Sequence, residues 1–248
     1  MLPYLNLFRL AIPVPAITIL IGISVGLSLA ERFAPRYKIN PDLLYNLVFN
    51  ALIGGIIGAR LFYVLLYPQA FIESPASLIS LNFGLFDLWG GILSALLVGI
   101  VYGQRKQFDL LLTLDALTPA FAVFSAALGI ANLASGKAYG VPTDLPWAVP
   151  LWNGMRHPTQ AYHAILAFLI LWMLWPTRHE KTIPGSLFLH FVGLSSLAVL
   201  FIEAFRDNSI ATISTLRDVQ LAAWLVLAGA LWGISRLGAE NQNTTPNP

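Results

Sequence analysis

Long apolar segments alternate with short polar ones along the chain, and the pattern repeats seven times. The apolar segments cover residues 12–30, 43–67, 86–102, 110–133, 157–175, 185–205 and 219–237. A helix needs about 17–25 apolar residues to span a hydrocarbon layer of roughly 30 Å. The pattern therefore predicts an all-α fold, a polytopic membrane helix bundle with about seven transmembrane helices.

Composition excludes several other classes of protein. Of the 248 residues, 57% are hydrophobic and only 10% are charged, whereas a soluble domain carries roughly 25% charged residues. The sequence contains no cysteine, which excludes disulfides, thiolate metal sites and a cysteine nucleophile. The net charge is +2 with dispersed basic residues, so nucleic acid is not an expected partner. The first apolar segment has no basic segment before it, and we expect a retained helix rather than a cleaved signal peptide.

Basic residues concentrate in alternate connections between the segments. They are Arg32, Arg36, Lys38, Arg105, Lys106, Arg178, Lys181 and Arg236. Cytoplasmic loops are enriched in Lys and Arg, so the N-terminus is expected outside and the C-terminus inside. Residues 134–156 then form a small extracytoplasmic cap, in which Trp147 and Trp152 are expected to be interfacial aromatics. Residues 1–237 are expected to form a single transmembrane domain, and the polar residues 238–248 a disordered cytoplasmic tail.

Five of the apolar segments bring polar groups to the outer membrane level. These groups are Arg60, Asp87, Asn132, Arg156, His157, Glu203, Arg206 and Asp207. An ionisable group inside a span costs about 2.5–3.5 kcal/mol on insertion scales, so it usually faces the bundle interior or a water-filled cavity. Arginine matches the geometry of a phosphate group. We therefore expect an outward-facing cavity that accepts the phosphate of a lipid.

Structural explanations remain open for several of these residues. Arg60 can form an ion pair with Glu203 or Asp87, and Arg206 can extend to lipid phosphates at a helix end without a special role. Histidine is the side chain best suited to act as a general base near neutral pH, which makes His157 a candidate base, but His157 can instead fix the loop before the fifth segment. The histidines lack a metal-binding spacing, so no metal is expected. Close helix packing is the simplest role for Gly54, Gly55, Gly58, Gly90 and Gly91.

Five short motifs occur in order along the chain. They are Gly58-Ala59-Arg60-Leu61-Phe62-Tyr63, Leu88-Trp89-Gly90-Gly91-Ile92-Leu93, Asn132 followed by Gly140-x-Pro142-Thr143-Asp144-Leu145-Pro146-Trp147, Arg156-His157-Pro158-Thr159-Gln160-x-Tyr162, and Phe201-Ile202-Glu203-x-Phe205-Arg206. Each motif is weak alone. As an ordered set, completed by Gln220-Leu221, they resemble the prolipoprotein diacylglyceryl transferase family of bacterial membranes.

The chain departs from that family's pattern at four positions. The family has an arginine at the position of Gly129, a glutamate at Lys137, a histidine at Trp89 and a glutamate at His163. The residues that still match are Asn132, Gly140, His157, Tyr162 and Arg206. The resemblance thus leaves two readings open, an enzyme with a rearranged site or a lipid-binding relative that has lost the chemistry.

The resemblance implies an activity in the bacterial plasma (inner) membrane that needs no cofactor. The diacylglyceryl group of phosphatidylglycerol moves to the lipobox cysteine of a preprolipoprotein signal peptide, and glycerol 1-phosphate leaves. The implied phosphatidylglycerol-binding residues are Arg60, Asn132, Gly140, Tyr162 and Arg206. Our candidates for the catalytic residues of this reaction are His157, Arg206 and Lys137, with Lys137 as a candidate replacement for the cation missing at Gly129. A small transporter is a further alternative, but transporters carry broken helices at mid-depth, and here the polar groups cluster at one end.

Overall fold

Eight helices account for most of the part of the chain that the structure, a computed structural model, describes. The described residues are 4–7, 10–80, 83–152, 154–176, 183–207, 211–213 and 216–244. The helices are α1 (Val14–Phe33), α2 (Pro41–Leu66), α3 (Pro68–Glu73), α4 (Leu88–Arg105), α5 (Leu110–Ser135), α6 (Thr159–Met173), α7 (Ser186–Glu203) and α8 (Asp218–Thr244). Within these ranges, six helices are apolar and long enough to cross a membrane, namely all except α3 and α6. The prediction of an all-α, polytopic membrane bundle is confirmed.

Helix α6 occupies the place of the fifth predicted segment but is shorter than that segment. It has 15 residues, or about 22 Å at 1.5 Å per residue. It begins only after Pro158 and ends before Pro176, because a proline disfavours helical backbone at the residue before it. The last helix differs in the opposite direction, since α8 continues to Thr244 rather than ending at Leu237. The remaining residues of the predicted tail, 245–248, lie outside the described residues, as do Arg178 and Lys181.

Among the described residues, three antiparallel strand pairs accompany the helices. They pair β1 (Tyr4–Leu7) with β2 (Leu10–Pro13), β3 (Val149–Leu151) with β4 (Gly154–Arg156), and β5 (Ala211–Ile213) with β6 (Leu216–Arg217). The hairpin of β3 and β4 lies inside the segment that the sequence predicts to form a cap.

The chain contains two compact units, and the first comprises Ala34–Thr113. Its main contact is between α2 and α4, which pack through small residues. A methyl group placed on Gly55 would lie 3.1 Å from the Cβ of Ala95, and one on Gly91 would lie 3.0 Å from the Cβ of Ala59. The predicted role of these glycines in close helix packing is confirmed.

The second unit comprises Met1–Phe33 and Leu114–Pro248. Its most buried spanning helix is α5, which carries a carboxylate, Asp115, with no exposed surface. Asp115 accepts hydrogen bonds from the backbone N–H groups of Gly185 at 2.7 Å and Phe188 at 2.9 Å. The carboxylate thus satisfies N–H groups at the start of α7, which a helix leaves without intrahelical partners.

Candidate active site

Residues 139–143, which we call the connecting segment, pair on one side with the chain just before α6. The N–H of Gly140 donates to the carbonyl of His157 at 3.1 Å, and the N–H of His157 donates to the carbonyl of Val141 at 3.1 Å. The N–H of Thr143 donates to the carbonyl of Met155 at 3.0 Å. The backbone of His157 therefore fixes the loop before α6, as one of the two sequence interpretations proposes.

The other side of the connecting segment pairs with the residues that directly follow α7. The N–H of Val141 donates to the carbonyl of Phe205 at 2.8 Å, and the N–H of Asp207 donates to the carbonyl of Tyr139 at 3.2 Å. A further antiparallel bridge links Gly140 and Arg206. These bonds bring together three segments that are distant in the sequence, and with them the motif residues Gly140, His157, Tyr162 and Arg206.

Gly140 is enclosed so tightly that a side chain does not fit. A methyl group there would lie 2.6 Å from the Cβ of His157, 2.7 Å from the carbonyl oxygen of His157 and 2.8 Å from the carbonyl oxygen of Phe205. Two of these three neighbours are backbone atoms, which cannot turn away as a side chain can. The glycine in this motif is therefore a condition for the close pairing of the three segments.

The imidazole of His157 lies in an aromatic environment and is 9% exposed. Its Nδ1 is 3.2 Å from the hydroxyl of Tyr162, and the same hydroxyl accepts a hydrogen bond of 2.8 Å from the indole N–H of Trp147. The ring of Phe205 lies 5.0 Å from the ring of His157. Trp147, for which the sequence suggests only an interfacial role, thus takes part in the polar network of the site.

Arg206 pairs with a deeply buried carboxylate. Its Nη1 lies 2.5 Å from Oε1 of Glu203, whose side chain is 1% exposed. The other carboxylate oxygen lies 3.7 Å from Nη1 of Arg217, and the same nitrogen donates to the Glu203 carbonyl. Two arginines thus share one carboxylate, which leaves a net positive charge. The sequence does not single out Arg217, because this residue belongs to none of the motifs.

Arg156 connects several segments of the same site. Its Nη1 donates to Oδ2 of Asp207 at 2.5 Å and to the carbonyl of Gly140 at 3.2 Å. Its guanidinium also lies 4.9 Å from the ring centre of Tyr139, close enough for a cation–π contact. These contacts tie β4 to the connecting segment and to the end of α7.

Asn132 and Lys137 line a cavity of about 390 Å³ at the end of α5. The other lining residues are Tyr4, Pro13, Pro15, Ile19, Leu128, Ala131 and Ser135. The backbone after α5 is held by Gln160, whose side-chain amide donates to the Lys137 carbonyl at 2.9 Å. The site residues named from the sequence in the unit of Met1–Phe33 and Leu114–Pro248 thus fall into two groups. One group lies around the connecting segment and the other around this cavity.

Gly129 lies where α5 approaches α6. A methyl group on Gly129 would lie 2.8 Å from the backbone nitrogen of Ala164 and 3.1 Å from its Cα. The arginine of the family's pattern would therefore not fit here unless α6 moved away. Lys137, two residues past the end of α5, is exposed and lines the cavity.

Arg60 contacts backbone carbonyls rather than the carboxylates that the sequence suggests as ion-pair partners. Each of its three guanidinium nitrogens donates to backbone carbonyls of the segment between α3 and α4. The acceptors are Ser77, Leu78, Ser80 and Leu85. The two carboxylates proposed as partners have other roles, since Glu203 pairs with Arg206 and Asp87 accepts from the N–H of Gly90 at 2.6 Å. Arg60 as a phosphate ligand stays a prediction, and its contacts support a structural role.

We expect Arg60→Ala to destabilise the unit Ala34–Thr113 by about 2–4 kcal/mol, because several carbonyls lose a charged donor. Thermal unfolding of the purified protein in detergent measures this loss. Arg60→Lys should recover only part of it, since an ammonium group cannot spread its donors over the same span. Arg105→Ala, at an exposed arginine in the last turn of α4, serves as the control and should change the unfolding temperature little. Equal unfolding temperatures for wild type and Arg60→Ala would contradict the structural role.

Two further departures from the family's pattern have plain structural positions. Trp89 is 71% exposed at the start of α4. His163 lies on α6 with its Nε2 3.0 Å from the hydroxyl of Ser125. Among the described residues, no group of three or more His, Asp or Glu side chains is arranged to hold a metal ion.

Comparison with known proteins gives a consistent result over nearly the whole chain. A family model described as prolipoprotein diacylglyceryl transferase matches residues 4–236. Several curated relatives carry the name phosphatidylglycerol–prolipoprotein diacylglyceryl transferase. The protein from Finegoldia magna is 29% identical over 175 residues, which cover 70% of this chain and 70% of the relative. The protein from Solidesulfovibrio magneticus is 30% identical over 200 residues, which cover 75% and 74%, and that from Gloeobacter violaceus is 30% identical over 199 residues, which cover 74% of each.

Proposed function

The chain belongs to the prolipoprotein diacylglyceryl transferase family, and we propose that it transfers the diacylglyceryl group of phosphatidylglycerol to the lipobox cysteine of preprolipoproteins. The observation that carries this proposal is the pairing of the connecting segment with both of its neighbours. That pairing gathers the matching residues Gly140, His157, Tyr162 and Arg206 around one point of the fold.

The chemistry sets two requirements. The cysteine thiol, with an ordinary pKa near 8.5, has to lose its proton to become a good nucleophile. Its sulfur then attacks the carbon of the diacylglyceryl group that is bonded to the phosphate oxygen. A carbon–sulfur bond forms at this carbon, its bond to the phosphate oxygen breaks, and glycerol 1-phosphate leaves. The departing phosphate needs a preorganised positive charge in a site of low dielectric.

Arg206 is the proposed phosphate ligand. Its pairing with Glu203 uses Nη1, and its side chain remains about a quarter exposed, at 23%. Arg217 supplies a second positive charge on the same carboxylate, so Glu203 does not cancel the charge of Arg206. This arrangement favours the binding of an anion. In the alternative interpretation, Arg206 is a lone arginine at a helix end that only extends to lipid phosphates, and such an arginine would bind an anion less well.

His157 is the proposed acceptor of the thiol proton, and Tyr162 is its nearest polar neighbour. The cavity beside Asn132 and Lys137 is the proposed place for the rest of the phosphatidylglycerol head group. Lys137 then supplies a cation near the position where the close packing at Gly129 excludes the family's arginine.

A second reading, a lipid-binding relative without the chemistry, has one observation in its favour. The family's arginine and histidine are absent at Gly129 and Trp89, and Trp89 is mostly exposed. Under either reading the protein is a multi-pass membrane protein. The bacterial inner membrane as its location, the outside N-terminus and the single domain over residues 1–237 belong to the proposal.

Incubation of the purified protein with phosphatidylglycerol and a model preprolipoprotein peptide tests the proposal. We expect mass spectrometry to find the peptide heavier by one diacylglyceryl group, attached as a thioether because sulfur is the attacking atom. A peptide with serine in place of the lipobox cysteine is the control and should stay unmodified. Binding of phosphatidylglycerol without any transfer, by protein that is folded and monodisperse, would support the lipid-binding reading instead.

A further inference from the structure

Trp147 combines wide exposure with a specific hydrogen bond. Its side chain is 57% exposed, yet its indole N–H donates to the hydroxyl of Tyr162 at 2.8 Å. The loop that carries it is held in place on both sides. The N–H of Ala148 donates to the carbonyl of Leu145 at 2.9 Å, and Thr143 at the base of the loop pairs with β4. An exposed tryptophan that only faced lipid would not need such a fixed position.

Two hydrogen bonds join Trp147, Tyr162 and His157 through the hydroxyl group of Tyr162. An indole N–H can only donate, so it takes a lone pair of the Tyr162 oxygen. The hydroxyl hydrogen of Tyr162 remains available for donation to Nδ1 of His157, 3.2 Å away. A neutral imidazole carries one proton, and the partner of one nitrogen decides which nitrogen holds it. If Tyr162 donates to Nδ1, then Nδ1 is the basic atom and Nε2 is the protonated one.

The neighbouring rings and charges keep this arrangement fixed. The ring of Phe205 lies 5.0 Å from that of His157 and 6.2 Å from that of Tyr162, and it therefore limits the rotation of both. The charged groups on the segments packed against His157 are paired. They are Arg156 with Asp207, and Arg206 and Arg217 with Glu203.

We propose that Tyr162 relays the proton of the substrate thiol to Nδ1 of His157, and that Trp147 is a positioning residue that holds the Tyr162 oxygen. The thiol proton passes to the Tyr162 oxygen while the hydroxyl proton of Tyr162 passes to Nδ1. The products are a thiolate, a neutral tyrosine and a positively charged imidazole. The indole N–H stabilises the negative charge that develops on the phenol oxygen during transfer. This inference rests on the proposed function, because it specifies how that reaction removes the thiol proton.

The tautomer of His157 can be measured without any enzyme assay. Protein labelled at its histidines with a nitrogen isotope gives ring nitrogen chemical shifts that differ between the two neutral tautomers, and His157→Gln assigns the signals. We expect the Nε2-protonated form in wild type and a loss of that preference in Tyr162→Phe. Trp152→Phe removes the indole N–H of another exposed tryptophan of the cap and should leave the tautomer unchanged. An Nδ1-protonated His157 in wild type would overturn the relay.

The pH dependence of transfer provides the second test. At pH 7 we expect Tyr162→Phe to lower the turnover number about 10²-fold and Trp147→Phe to lower it about tenfold, with a smaller change in KM. As pH rises past the thiol pKa of about 8.5, the substrate loses its proton without help, and both ratios to wild type should shrink towards one. A purely structural role would leave these ratios constant with pH, and a constant ratio would overturn the relay. Absence of transfer by wild type would refute the proposed function and the relay with it, while the tautomer measurement would still report separately on the hydrogen-bond chain.

Discussion

Arg206→Ala is expected to lower diacylglyceryl transfer by about 10²–10³-fold, the usual effect of removing a donor that stabilises developing negative charge. Affinity for phosphatidylglycerol should fall about tenfold or more, because a charge-assisted contact contributes roughly 1.5–3 kcal/mol. Transfer to the model peptide measures the first effect, and lipid binding by the protein in nanodiscs measures the second. Arg206→Lys should restore only part of each, since the planar guanidinium is lost.

The ion pair with Glu203 requires a control for folding. Without Arg206, the buried carboxylate keeps only Arg217, at 3.7 Å, and a buried carboxylate with fewer partners costs stability. The double variant Arg206→Ala with Glu203→Gln removes the carboxylate charge that has lost one partner, while Arg217 keeps its hydrogen bond to the backbone carbonyl of residue 203. We expect it to regain most of the lost stability but none of the lost lipid affinity. Arg236→Ala, at an exposed arginine near the end of α8, should change neither quantity. Equal phosphatidylglycerol binding by wild type and Arg206→Ala would refute the assignment.

That polar groups from several segments form one site could be predicted from the sequence because it depends on local features. Helix ends follow from the apolar segments, and the polar residues near those ends share one membrane level if the segments alternate. His157 and Arg206 could thus be proposed as one group, and Gly140 was added to it by the resemblance of its motif to that of the family. Their actual contact depends on backbone hydrogen bonds between residues 139–143 and two distant segments, and no periodicity in the sequence specifies that pairing.

The partners of the charged residues could not be predicted for a related reason. Arg60 was open to pairing with a carboxylate, since a cation in an apolar segment needs an acceptor. Backbone carbonyls are also acceptors for a guanidinium, and every residue has one, so the sequence contains no mark of which are used. Arg217 and Asp115 were missed because their partners, Glu203 and the N–H groups at the start of α7, come from other segments.

Gly140→Ala is expected to lower transfer by about 10²-fold and to destabilise the protein by about 1–3 kcal/mol. The added methyl group would meet the backbone of His157 and of Phe205 at 2.7 and 2.8 Å, so one of the paired segments has to move. Inserting a methyl group into a well-packed site typically costs about 1–3 kcal/mol. A displacement of about 1 Å of a catalytic group can cost about 10²-fold in rate. Both His157 and Arg206 belong to the segments that would be displaced.

Gly154→Ala is the matched control, because it makes the same chemical change in the same connection between α5 and α6. A methyl group on Gly154 has no neighbour within 4 Å, and the residue lies at the start of β4, so transfer and unfolding temperature should stay near their wild-type values. The comparison of the two variants also separates two explanations for the presence of glycine at position 140. If Gly140→Ala loses transfer while the unfolding temperature falls only slightly, the glycine sets the position of His157 and Arg206. If Gly140→Ala is as active and as stable as Gly154→Ala, the connecting segment does not hold the two residues in place, and the site would have to be assembled by other contacts.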